Sequence, residues 1–141
     1  MHITLEADYA IRIVDSLSSH GGERLSARVL SAESGLTLRY ALKILHRLCR
    51  GGILRSFQGA TGGYELTRAP SDITLCDVIE AMDGPIAIAR CLRLPECTRV
   101  YDVSFCEYHC LFAGISEEMR AFFAGVTFGP RAECEAAASR A

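Results

Sequence analysis

The stretch Ser26-Ala27-Arg28-Val29-Leu30-Ser31-Ala32-Glu33-Ser34-Gly35-Leu36-Thr37-Leu38-Arg39-Tyr40-Ala41-Leu42-Lys43-Ile44-Leu45-His46-Arg47-Leu48-Cys49-Arg50-Gly51-Gly52 decides the fold. Ser26 has the side chain of a helix N-cap, and Ala27, Val29, Leu30 and Ala32 are the apolar positions of a short helix. Gly35 supplies a residue that tolerates positive φ in a sharp turn. Thr37 caps a second helix running to about Arg50, with Leu38, Ala41, Leu42, Leu45, Leu48 and Cys49 as the expected buried stripe. Arg39, Lys43, Arg47 and Arg50 fall on the other side, about one turn apart. Two helices joined by a glycine turn, the second with a basic outer face, form a helix-turn-helix. Ser31, four residues before Gly35, is small enough for the close helix approach that the motif needs.

Downstream, Gly51-Gly52 ends the second helix. Ile53–Phe57 and Gly63–Thr67 then read as strands around the flexible tip Gln58-Gly59-Ala60-Thr61-Gly62. That order is a winged helix, whose wing brings Arg55 and the tip amides, including that of Gly62, near a phosphate backbone. Upstream, residues 5–19 read as a helix with Leu5, Tyr9, Ile13 and Leu17 on one face, stopped by His20-Gly21-Gly22. Beyond the wing, Pro70-Ser71-Asp72 interrupts the chain, and Thr74-Leu75-Cys76-Asp77 resembles a capping box opening a helix through Met82. Leu111, Phe112, Ile115, Met119, Phe122 and Phe123 recur at helical spacing. The stripe is large for one small domain to cover, so it points to packing against a second copy.

The formal net charge of −2 hides a segregation: residues 24–68 carry eight Arg or Lys against Glu33 and Glu65, so this stretch is +6 and the rest −8. A basic block in an acidic protein marks a face for a polyanion. At 141 residues the chain is one domain with an appended arm, long enough for a core of its own. No apolar run reaches the ~18 residues of a membrane span, and no signal-peptide layout opens the chain, so a cytoplasmic location is expected. There is no Walker loop, dinucleotide fingerprint or HExxH motif, hence no enzyme and no small-molecule substrate is expected.

Seven cysteines are too many for ordinary core filling and too few for a disulfide scaffold. Cys49 and Cys76 lie on or beside buried helix faces, and Cys134 lies near the end; these three read as incidental. The other four form Cys91-x5-Cys97-x8-Cys106-x3-Cys110, with His109 among them. Soft thiolates select zinc or an iron–sulfur cluster, and a thiol–disulfide switch is a third use. Structural zinc sites favour two short Cys pairs, which this spacing lacks.

Together these residues carry a resemblance. Ile3-Thr4-Leu5-Glu6-Ala7-Asp8-Tyr9-Ala10-Ile11-Arg12, Gly62-Gly63-Tyr64-Glu65-Leu66 and Ile73–Ala81 leading to Gly84-Pro85-Ile86 resemble the winged-helix regulators of the IscR/NsrR/CymR family, over about Met1 to Gly129. The resemblance implies a mainly α fold with a small β-hairpin. A winged helix-turn-helix over 1–82 is followed by a cysteine-rich cluster-binding loop over 83–106, a dimerisation helix over 107–128 and a flexible tail over 129–141. It implies a [2Fe–2S] or [4Fe–4S] cluster on Cys91, Cys97 and Cys106. The fourth ligand is left among His109, Cys110 and Asp8, the last reaching from the other subunit. The Cys97–Cys106 gap is longer than the family's. The implied protein is a homodimeric regulator, a repressor in the first instance, on a pseudo-palindromic double-stranded operator. Thr37, Arg39, Tyr40 and Lys43 are assigned to base edges, and Arg47, Arg50, Arg55 and the wing amides to phosphates. Cluster-free thiol or partner-controlled regulators of the same fold, and a zinc-stabilised DNA binder, are the alternatives.

Overall fold

The computed structural model describes residues 3–94 and 106–129. Helices α1 (Leu5–Ser19), α2 (Ala27–Ser34) and α3 (Leu38–Arg50) lead into strands β1 (Leu54–Phe57) and β2 (Gly63–Leu66); α4 (Leu75–Asp83) and α5 (Glu107–Ala124) follow. The expected mainly α fold with one hairpin is present. The three expected caps act at the starts of α2, α3 and α4. Ser26 Oγ accepts from Val29 N at 3.3 Å, Thr37 Oγ1 from Tyr40 N at 3.3 Å, and Thr74 with Asp77 forms a reciprocal capping box at 3.0 and 2.9 Å. Gly35 adopts φ 69°, and the Leu36 amide behind it bonds to Ser31 O at 2.8 Å, closing the turn between α2 and α3.

The main core cluster is built from the first four helices and the hairpin: Ile13, Val14 and Leu17 of α1, Leu30 of α2, Ile44, Leu45 and Leu48 of α3, Ile53, Leu54 and Leu66 of the hairpin, and Val78 and Met82 of α4; α5 packs on a smaller second cluster. The phase of the helices differs from the sequence expectation in three places. On α1 the buried stripe runs through Ala7, Ala10, Ile13, Val14 and Leu17, and Leu5 is exposed. Small side chains line the side of α1 that packs on α2 and α4, and the large Leu5 sits at the first turn with nothing over it. On α2, Val29 is exposed, while Ser31 and Ser34 are buried. On α3, Ile44 is fully buried and Leu42, expected in the core, is 42% exposed. Leu42 and Ile44 are both large and apolar and lie on opposite flanks of the stripe; packing against α1, α2, α4 and β1 selects Ile44.

β1 and β2 are antiparallel, pairing Leu54 with Leu66, Arg55 with Glu65, Ser56 with Tyr64 and Phe57 with Gly63. Leu25 adds a bridge to Tyr64, through amide–carbonyl bonds of 3.0 and 2.8 Å. Gly63 is required there, because a Cβ would stand 2.6 Å from the Leu25 carbonyl oxygen.

After α5 the chain returns to the start of α4 and to the main core. Thr127 bridges to Thr74, Leu75 N donates to Val126 O at 2.7 Å, and Phe128 joins the core at 5% exposure. The sequence places the last core residues at about Val126; Phe128 extends the core past the helix. The proposed cluster loop is described over 83–94, where Ile86 is buried and Arg90–Leu92 form a 3-10 turn. Cys97 and the flexible tail expected at 129–141, with its Cys134, lie outside the described residues apart from Gly129.

Candidate nucleic-acid interface and thiol site

The outward stripe of α3 consists of Arg39, Leu42, Lys43, His46 and Arg50, all exposed and spaced one turn apart. Arg39 and Arg50, with Arg28 of α2, have no ion-pair partner among the described residues. The remaining residues assigned to DNA have partners of their own. Thr37 caps the helix. Tyr40 turns toward α1, its ring edge-on to Tyr9 with centroids 5.8 Å apart. Lys43 Nζ lies 2.5 Å from Glu6 Oε1, but its side chain is still more than half exposed. Arg47 differs most from the sequence reading. Its guanidinium donates to Glu6 of α1 and to the Met82 carbonyl at the end of α4, so it faces inward. Hydrogen bonding from Lys43, with the charges of Lys43 and Arg47, holds the Glu6 carboxyl below its usual range against the opposing effect of burial.

On the wing, Arg55 pairs across the strands with Glu65 at 2.6 Å, and Arg24 reaches the same carboxylate at 3.3 Å while its guanidinium stacks 3.3 Å from the Phe57 ring centroid. One carboxylate between two arginines leaves the wing net positive. Gly62 sits at the tip, where a Cβ would fall 2.5 Å from the Phe57 carbonyl oxygen. Sequence reasoning missed Leu42, His46 and Arg28 as members of this face. For His46 and Arg28 the signal was present: His46 lies three residues after Lys43, and Arg28 lies in the basic block. For Leu42 there was none, because an apolar residue on a mostly apolar helix reads as core.

Two of the thiols stand at the start of α5, and a third lies in the turn that packs on this helix. Cys106 is the N-cap residue of α5 and half-buried, Cys91 is half-buried within the Arg90–Leu92 turn, and Cys110, one turn into α5, is exposed. The turn packs against α5, and Ile88 N donates to Ser116 Oγ at 3.1 Å. His109 Nδ1 is buried and has no hydrogen-bond partner among the described residues. A buried imidazole nitrogen normally finds a partner, so this atom is suited to a ligand. Asp8 is paired instead with Arg12 at 2.9 Å. No group of three or more His, Cys, Asp or Glu stands ready to hold a metal among the described residues. Cys49 and Cys76 lie outside the loop, although Cys76 packs beside its Ile86; burial pushes both thiols up, consistent with inert packing roles.

The loop is wired to the reading head at its first residues. Asp83 accepts from Thr4 N at 3.2 Å and Thr4 Oγ1 at 2.5 Å, tying the end of α4 to the cap of α1. Arg47 holds the adjacent Met82 carbonyl. Glu80 accepts from Arg120 of α5 at 2.9 Å and from Ile86 N at 3.4 Å; these bonds, that from Arg120 first, keep its carboxyl low. On the far side of α5, Tyr108, Leu111, Ile115 and Phe122 are exposed at helical spacing, Phe122 by 71%. Two members of the expected dimer stripe, Met119 and Phe123, pack instead on Cys76, Ile79 and Ile86 of the same chain.

Comparison with known proteins places this arrangement. The Rrf2 family model, described as an iron-dependent transcriptional regulator, matches residues 3–130. The chain belongs to the Rrf2 family. This regulator is 30% identical over 131 residues to the HTH-type transcriptional regulator IscR of Klebsiella pneumoniae, covering 92% of its own length and 78% of that relative. Its fold is shared with CymR, the global cysteine regulator of B. subtilis (TM-score 0.70, 23% identity, 91% of this chain and 93% of that one). It is also shared with T. potens IscR (TM-score 0.69, 21% identity, 91% and 83%). The Rrf2 protein is thus a DNA-binding transcriptional regulator rather than an enzyme. No helix among the described residues is long and apolar enough to cross a membrane.

Proposed function

We propose that this Rrf2 regulator is a homodimer that grips a pseudo-palindromic operator with two α3 helices, and that an iron–sulfur cluster on its thiol loop controls the grip. Arg39 and Lys43 would reach base edges from the first turns of α3, and Arg28, Arg50, Arg55 and the Gly62 region would hold phosphates. Thr37 and Tyr40 set the pose of the helix, one as its cap and the other through Tyr9. Arg47, turned toward Glu6 and Met82, passes from the phosphate set to a positioning role. Two α3 helices about 34 Å apart would enter successive major grooves.

Cys91, Cys97 and Cys106 would supply three thiolates and His109 Nδ1 the fourth ligand. The observation that carries this choice is the buried Nδ1 one turn after Cys106, which has no hydrogen-bond partner among the described residues. By contrast Asp8 is engaged by Arg12, and Cys110 points to solvent. When bound, an iron–sulfur cluster supplies a redox-active centre sensitive to oxidants. Ligation at Cys91 and Cys106 would join the Arg90–Leu92 turn to the first turn of α5. Order in that turn would reach the heads through Asp83–Thr4 and Met82–Arg47, which abut the recognition helix. A cluster-free, thiol-controlled regulator is the second reading, favoured by the exposed Cys110 thiol one turn from Cys106.

Anaerobic purification followed by iron and sulfide analysis separates the two. Wild-type protein is expected to be coloured and to carry iron and sulfide in equal amounts. Cys106→Ser should lose both, His109→Ala should hold a labile cluster with a shifted visible spectrum, and Cys110→Ser should match wild type. Colourless, iron-free wild-type protein would refute the cluster.

A further inference from the structure

Leu42 stands at the centre of the reading face. It is 42% exposed and takes no part in the hydrophobic core, yet it is a large aliphatic residue. Its neighbours on the exposed stripe are Arg39 one turn before it, Lys43 beside it and His46 one turn after it, with Arg50 further along. A leucine costs solubility in such a setting unless its partner buries it. The cations around it make that partner a polyanion, and among the base-pair edges in the major groove the apolar feature is the C5-methyl group of thymine.

We infer that Leu42 reads thymine methyl groups in the operator, one per half-site, and so sets sequence specificity at a position where no hydrogen bond is made. This rests on α3 being the DNA-reading helix. Arg39 and Lys43, long and flexible, would place charge on flanking phosphates or guanine edges and keep the short Leu42 side chain close to the groove floor. Leu42 offers no donor or acceptor, so it would reject cytosine at that step by leaving the exocyclic amine of that base without a partner.

The test uses a duplex that the full-length protein itself enriches from a random-sequence library. Each thymine is replaced singly by deoxyuridine, which removes only the methyl group, and affinity is measured for wild type, Leu42→Met and Leu42→Ala. Wild type is expected to lose about fourfold at one thymine per half-site, the burial of roughly one methyl group. Leu42→Met should keep that sensitivity, whereas Leu42→Ala should be indifferent to uracil there and still fold and bind. Uracil sensitivity that is absent, or that persists unchanged in Leu42→Ala, overturns the assignment while leaving the DNA-reading helix intact. Enrichment of no duplex at all, with Arg39→Ala no different from wild type, overturns the reading helix and Leu42 with it.

Discussion

Leu111→Asp combined with Phe122→Asp is expected to leave the chain monomeric and to weaken operator binding by at least about a hundredfold, the advantage of holding two half-sites at once. Both residues are more than half exposed on α5, at 56% and 71%, next to Tyr108 and Ile115. A row of four large apolar side chains at helical spacing suits the proposed seam of a helix pair, where each would be worth about 1.5–3 kcal/mol when fully buried. Two carboxylates in that seam would add repulsion and desolvation to the lost contacts. The monomer should still fold, since Met119 and Phe123 continue to cover Ile79 and Ile86 and Phe128 remains in the core. Sedimentation velocity with an operator titration checks both outcomes. A variant that stays dimeric places the two-fold elsewhere.

Ile44→Ala and Leu42→Ala, two residues apart on one helix, are expected to behave oppositely. Ile44 is fully buried among α1, α2 and hairpin side chains, so its truncation leaves a cavity and costs about 2–5 kcal/mol. For a domain with a total stability of about 5–15 kcal/mol, that is a large share, and the variant should denature at clearly lower urea. Leu42→Ala, on the solvent side, should remain within about 0.5 kcal/mol of wild type. The helix would have to be rotated from the observed phase for Leu42→Ala to be the damaging one. Urea unfolding of both proteins decides it.

These two pairs of residues also show where the sequence was readable. Caps and turns are local chemistry, so Ser26, Gly35, Thr37 and the Thr74–Asp77 box could be placed from their neighbours alone. The two strands followed from the same kind of signal, with Gly51-Gly52 before the hairpin and a glycine-rich tip within it. Helix phase is not local. On α3, Leu38, Leu42, Leu45 and Leu48 form as good a stripe on paper as the observed Ala41, Ile44, Leu45 and Leu48. The choice belongs to α1 and α4, which approach through Glu6, Arg47 and Met82. The inward turn of Arg47 has the same origin: nothing in the sequence around it announces that Glu6, 41 positions away, will claim it. At the thiol site, spacing identified Cys91, Cys106 and His109 as a group. Only the fold separates a buried imidazole nitrogen on His109, without a partner among the described residues, from an exposed thiol on Cys110.

Control of the grip of α3 on DNA by the thiol loop is read out by the affinity of one anaerobic preparation for a duplex it has itself selected, before and after removal of iron by a chelator, with Cys106→Ser alongside. Iron removal is expected to change Kd by at least about tenfold, equivalent to about 1.4 kcal/mol of coupling, and Cys106→Ser protein to stay at the iron-free value. Equal affinities in all three samples would contradict that control.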